Sequence, residues 1–126
     1  MAVFDTSEAN RLLDAVFSVA DYTGATSGSQ LRLCTAVGSD GSAGTLVTGG
    51  SYAHQALAMS AAASRSTSNS GTVSFTGMPA ATVTSVEIYN SGGSTRKAYG
   101  SLTTSRTTAS GDTLSFAASS ITCTFS

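Results

Sequence analysis

Apolar and polar residues alternate with a period of two over much of the second half of the chain. Val83-Thr84-Ser85-Val86-Glu87-Ile88-Tyr89 is followed by a break holding Asn90, Gly92 and Gly93, then by Lys97-Ala98-Tyr99-Gly100-Ser101-Leu102. A polar run leads through Gly111 and Asp112 to Thr113-Leu114-Ser115-Phe116, and a short break precedes Ile121-Thr122-Cys123-Thr124-Phe125. Successive strand side chains point to opposite faces, so this pattern predicts half-buried strands. The Asn, Gly and Asp residues in the breaks suit tight turns. Upstream, three more strands are expected: residues 30–36 with Leu31 and Leu33 inward, 52–59 with Leu57 and Met59 inward, and 72–76 with Val73 and Phe75 inward. Gly77-Met78-Pro79 should break the last of these, because proline has no backbone N–H to give a ladder. Residues 37–45 read as a Gly-rich loop and the hydroxyl-rich stretch 64–70 as another. About seven short strands with turn signals every 8–12 residues predict a mostly β chain, an antiparallel β-sandwich.

One segment has a different period. In residues 5–20, Ala9, Leu12, Leu13, Val16, Phe17 and Ala20 recur at three- and four-residue spacing, which predicts one N-terminal helix. Asp5 or Thr6 is placed to cap it, and Glu8 sits where a capping-box acid belongs. The apolar stripe is expected to pack on an open edge or face of the β layer, or on a neighbouring subunit. The strand-free segment 23–29 reads as a Gly/Ser linker. The expected organisation is one domain over residues 1–126, with the helix at 5–20 and the β-sandwich at 30–126.

Composition sharpens this picture. Charged residues are only 10% of the chain, and 23 serines with 19 threonines take their place. Threonine is β-branched and favours strands, so the hydroxyls suit both a β fold and its solvation. Six basic and seven acidic residues leave a net charge of −1. That offers no electrostatic footprint for nucleic acid or an anionic membrane, so neither is expected as a partner. It also lets identical copies pack with little repulsion. The chain opens without a basic n-region or an apolar h-region, and no run nears the roughly 20 apolar residues that span a bilayer. Residence in the cytoplasm is expected, unless a larger particle carries the protein out.

Candidate chemistry is sparse. Cys34 and Cys123 form no C-x-x-C pair, and with a single histidine, His54, no zinc site is expected. Alternation sets Cys123 inward with Ile121, and Cys34 on the face opposite Leu31 and Leu33, so two free thiols are expected. No Gly-x-Ser-x-Gly elbow accompanies His54. Asp40 and Asp112 suit turns by bonding their own backbone. No catalytic residue, cofactor or metal is expected. Glu87 and the pair Arg96-Lys97 flank one hairpin, placed to pair across the strands or to meet a partner's charges; an exposed ion pair contributes about 0–1 kcal/mol. Tyr22, Tyr52, Tyr89 and Tyr99 combine area with a polar tip and are candidate interface anchors. Tyr89 and Tyr99 fall opposite the inward face of their strands and would share one outer surface. With Val3, Phe4, Leu12, Leu13, Val16 and Phe17 of the N-terminal segment, Tyr52, Tyr89, Tyr99, Arg96 and Lys97 form the candidate partner-binding set.

Several stretches look familiar. Ser85-Val86-Glu87-Ile88-Tyr89 with its Gly-rich turn, Ala98-Tyr99-Gly100-Ser101-Leu102-Thr103-Thr104, and Ala109-Ser110-Gly111-Asp112-Thr113-Leu114-Ser115-Phe116-Ala117 resemble a family of small tailed-bacteriophage virion proteins. Members are often labelled tail fibre or minor structural proteins, and related small proteins act as capsid decoration, or cement, proteins. Arg11-Leu12-Leu13-Asp14-Ala15-Val16-Phe17 is similar to that family's N-terminal helix, and Thr48-Gly49-Gly50-Ser51-Tyr52-Ala53-His54-Gln55-Ala56 to its turn-strand. The resemblance covers most of the chain and rests on turns and strand faces, not on reactive side chains. It implies a virion structural protein, not an enzyme, assembled in the host cytoplasm. No repeat or coiled stalk is visible, and a compact near-neutral domain suits a lattice. The leading expectation is therefore a capsid decoration protein. It would bind the assembled head, link neighbouring copies of the major capsid protein, and stabilise the shell by mass action and avidity. The other expectation is a tail-associated fibre or receptor/sugar-binding module with tail proteins as partners and Tyr89 and Tyr99 as its platform. Either role implies a homo-oligomer or lattice-repeated copies.

Overall fold

A computed structural model describes residues 3–21 and 28–125. Its elements are β1 (Val3–Phe4), α1 (Thr6–Val16), β2 (Ser29–Ala36), β3 (Thr45–Leu46), β4 (Gln55–Leu57) and β5 (Ser66–Ser68), then β6 (Val73–Met78), β7 (Ala81–Asn90), β8 (Arg96–Thr108), β9 (Asp112–Phe116) and β10 (Thr122–Thr124). The fold is mostly β and antiparallel, with one helix. One sheet runs β1-β8-β7-β2-β3, with β4 also paired to β2; β6-β9 and β5-β10 form two smaller ladders. Leu31 and Leu33 of β2, Val86 and Ile88 of β7 and Ala98 of β8 meet Val73, Phe75, Leu114, Phe116 and Cys123 of the smaller ladders in one core. Phe75 lies edge-on to Phe116, ring centroids 6.3 Å apart, a favoured aromatic geometry. This is the sandwich the alternation predicts, with the expected inward residues inside.

The differences have local causes. Among the described residues there are ten strands, against about seven expected, because β1, β3 and β5 are too short to show a period. Stretch 64–70 is not all loop: Ser66–Ser68 pairs with β10. Beyond it, Asn69 is buried, donating to the carbonyls of Gly71 (2.8 Å) and Ala117 (2.9 Å) and accepting from the Ile121 amide (2.9 Å). β6 passes through Gly77 to a fully buried Met78, because Gly77 takes a positive φ of 61° that a side chain would resist. The polar run after Leu102 is the second half of the 13-residue β8, whose Arg106, Thr107 and Thr108 pair with β7. Conversely β4 is shorter than residues 52–59, and His54 lies exposed just before it. Both cysteines are free and buried.

α1 begins and ends inside the predicted span. Asp5 occupies the N-cap position but its side chain makes no cap bond. The Thr6 amide instead donates to Asp40 Oδ1 at 2.8 Å, so the helix receives its cap from the Gly-rich loop. Those hydrogen bonds from Thr6 hold the Asp40 carboxyl below its ordinary range. Asp40 is thus not a self-bonded turn residue, whereas Asp112 is: its Oδ2 accepts from the Ala109 amide at 2.8 Å. Tyr22 and most of the 23–29 linker lie outside the described residues.

Candidate docking and binding surfaces

The outer face of β7 carries Ser85, Glu87 and Tyr89, and all three are buried. A lid made by the N-terminal segment and the 37–45 loop closes over them around Arg96, the first residue of β8. Arg96 Nε and Nη2 grip Asp5 (2.8 and 2.6 Å), Nη1 donates to Glu87 Oε1 (3.1 Å) and the Ser42 carbonyl (2.9 Å), and Nη2 also reaches the Ser39 carbonyl. All five guanidinium N–H groups therefore have acceptors. The side chains of Arg96, Asp5 and Glu87 are only 7, 7 and 1% exposed. Hydrogen bonds to Asp5, then the charges of Asp5 and Glu87, push the arginine's proton affinity further up. Glu87 also accepts from the Gly44 amide and, at 2.9 Å, from the Tyr89 hydroxyl. Burial, and next the bond to Glu87, push the Tyr89 phenol up to about 12. Burial, and next the Glu87 charge, do the same to the Cys34 thiol, also to about 12, so this thiol stays protonated at neutral pH. A second ion pair lies alongside, where Lys97 Nζ meets Glu8 at 3.0 Å.

Glycine makes this lid possible. A Cβ on Gly44 would strike the Ala36 carbonyl and crowd Glu87 Oε1 at 3.2 Å; one on Gly38 would lie 2.8 Å from Arg96 Nη1. The Gly-rich loop thus wraps an arginine with its carbonyls, and its polar atoms face inward.

The lid turns α1 over. Its one buried side chain is Glu8, which pairs with Lys97 and with Arg11 (3.1 Å). The apolar stripe faces away from the core. Leu13 is 49% exposed, Val16 and Phe17 73% each, and Val19 beyond them 74%, while Leu12 is half-buried. The expectation that the stripe caps the sandwich fails, because the sheet face beneath α1 is ionic and takes the helix by its charged side. Val3 is 45% exposed on β1, paired with Tyr99; Phe4 packs against the core and Phe125 (5.8 Å).

The remaining candidates are redistributed. Tyr89 does not stand on an outer surface: it is buried beneath Arg32, whose guanidinium lies 4.0 Å from its ring centroid. Tyr99 is half-covered by Arg96 at 4.2 Å. Tyr52 stacks on Phe75 (5.8 Å), and its hydroxyl accepts from the Leu33 amide at 2.8 Å. Arg96 and Lys97 are not solvated hairpin charges but the lid's fasteners. No tyrosine platform therefore exists on these strands. Sequence reasoning missed Asp5 and Glu8 as fasteners. Its one usable signal was a glutamate in the middle of the most apolar strand.

The opposite half of β8 borders a cleft of about 400 Å³. Four residues of β8, Leu102 to Ser105, span the distance that Thr84 alone spans on β7, so the register shifts and β8 bows there. Its hydroxyl-bearing residues Ser101, Thr103 and Thr104 face the β9–β10 turn across a floor that includes Leu102, Phe116 and Ile121. Among the described residues no group of three His, Cys, Asp or Glu side chains is placed to hold a metal, and no helix is long and apolar enough to cross a membrane.

Residues 3–124 match the family model described as "Podophage GP4 fiber I protein gp80". The match spans nearly the whole chain, so the chain belongs to that family and is a bacteriophage virion structural protein. No curated protein matches it.

Proposed function

From membership of that fibre family as premise, we propose that the chain is a non-enzymatic subunit of a tail fibre, mounted on the virion through the outer face of α1. One observation carries the reading: the exposed apolar residues Leu13 and Val16 of α1 and Phe17 at its C-cap, on a helix whose other side is fastened by ions. Isolated exposed apolar residues are ordinary, but a contiguous patch on one helix face marks an interaction site. An amphipathic helix laid in a partner's groove uses this i, i+3, i+4 spacing. The partner is another tail protein, and the near-zero net charge suits repeated copies.

The family's description names a fibre protein, which favours the tail over the head. Capsid decoration remains the second reading, favoured by the single sandwich formed by the described residues, which include no coiled stalk. It uses the same helix face against the major capsid protein. Cryo-EM localisation in the parent particle separates the two. A few copies at the tail support the fibre reading; density repeating over the head lattice overturns it in favour of decoration.

A further inference from the structure

We propose that the cleft between β8 and the β9–β10 turn binds an acidic saccharide, a mono- or disaccharide carrying one carboxylate. The cleft's 400 Å³ falls in the roughly 300–1,000 Å³ typical of small-ligand sites. Its floor is the edge of the core, where half-buried Leu102, backed by the buried Phe116 and Ile121, offers C–H surface to the apolar face of a sugar ring. Its walls carry hydroxyls, which donate and accept alike and so complement ligand hydroxyls that do the same. Those of Ser101, Thr103 and Thr104 make no hydrogen bond among the described residues, and neither does the guanidinium of Arg106. Among the described residues Arg106 is the one charged residue on the lining, with no carboxylate beside it there. A cationic ligand therefore has no counter-charge here, whereas a single carboxylate meets a planar donor fork.

The position of the cleft fits a ligand from outside the virion. The lid and α1 occupy the Arg96–Tyr99 end of β8, and the cleft the Gly100–Arg106 half. Ala98 and Arg106 sit opposite Ile88 and Val83, five residues apart on β7, which at about 3.3 Å per residue puts roughly 17 Å between the lid end and Arg106, so docking by α1 leaves the cleft open. The β8 bow fits as well, since bulges recur beside binding sites where they re-aim side chains.

The test is an amide-resolved NMR titration of the full chain with methyl β-D-glucuronide, with methyl β-D-glucoside as its neutral match. Saturable shifts are expected at residues 101–104 and 120–122, with the glucoside about tenfold weaker. Arg106→Gln should bring the glucuronide down to the glucoside's level. Thr103→Val, at an exposed position, should weaken both ligands and serves as the second variant if Arg106→Gln fails to fold. Shifts elsewhere, equal affinity for the two sugars, or an Arg106→Gln protein that keeps the preference would each overturn the proposal. Variants on the α1 face should leave the titration unchanged, so loss of virion docking and loss of sugar binding are separable.

Discussion

β7 is buried on both sides, and the two sides are chemically opposed. Val86 and Ile88 enter the apolar core, while Glu87 and Tyr89 enter a network of charges and hydroxyls under the lid. Burying a valine or isoleucine side chain stabilises by about 1.5–3 kcal/mol through removal of apolar area from water. Burying an arginine with two carboxylates gains little net energy, because desolvation offsets the attraction. What the ionic side supplies is geometry. Arg96 is satisfied only when Asp5, Glu87 and the Ser39 and Ser42 carbonyls are all in place, so it fixes the N-terminal segment and the Gly-rich loop together. The apolar face holds the sandwich; the ionic face holds the helix, and holds it with the apolar stripe outward.

The sharpest way to break that contrast is to damage each side once. Phe75→Ala opens a cavity in the core and should cost about 3–5 kcal/mol in urea unfolding. Arg96→Ala leaves Glu87 and Asp5 buried without a cation, and a loss of about 3–5 kcal/mol is expected as well. A loss below about 1 kcal/mol would mean the lid is open to water and the two faces differ in more than chemistry. Gly44→Ala forces a methyl against the Ala36 carbonyl, and about 1–3 kcal/mol of destabilisation should follow from overpacking. Gly92→Ala serves as its reference, since nothing lies within 4 Å of a Cβ there and its φ, like that of Gly44, is not positive.

Alkaline pH loads the ionic side most, while burial also raises the Cys123 thiol and the Tyr52 phenol on the apolar side. The Cys34 thiol is raised from 9.0 to about 12 and the Tyr89 phenol from 10.0 to about 12. Between those limits the unfolded chain has lost protons that the folded chain retains. Stability is therefore fully present below about pH 9 and falls as pH rises toward 12. Cys34→Ser should flatten the lower part of that fall in chemical-denaturation curves taken across the range; an unchanged slope would place the thiol outside the Glu87 environment. The smallest stability effect belongs to the exposed helix face. Val16→Ser and Phe17→Ser should each shift unfolding by no more than about 0.5 kcal/mol, because neither side chain packs on the body.

The sequence pattern reads the first face of β7 well and the second face badly, for one physical reason. Period-two alternation identifies which residues share a side, and it equates polar with solvated. Leu31, Leu33, Val73, Phe75 and Leu114 are core residues as the period implies. Glu87 and Tyr89 share the other side, also as implied, but what covers that side comes from residues 5 and 39–44, far away in sequence. No local pattern encodes a contact between Asp5 and Arg96 across 91 residues. The same blindness reversed α1. Its stripe of Leu12, Leu13, Val16 and Phe17 is legible as an apolar face, but which face meets the sheet depends on Glu8 finding Lys97. The family resemblance rested on turns and strand faces, and the turns do recur as close backbone approaches. The cleft was illegible because it is made by a bow in β8 within a run that reads as undifferentiated Ser and Thr. Removing residues 1–20 would expose the Arg96 and Glu87 charges and confuse docking with folding, so point variants on the outer face of α1 are the cleaner probe.

The most direct test of the account is incorporation of a Val16→Ser/Phe17→Ser double variant into the parent virion, measured beside its melting temperature. The expected result is a wild-type melting temperature with incorporation lost. Normal incorporation of the variant, or loss of folding along with it, would contradict the claim that ions fasten this helix inward so that its apolar face can dock outward.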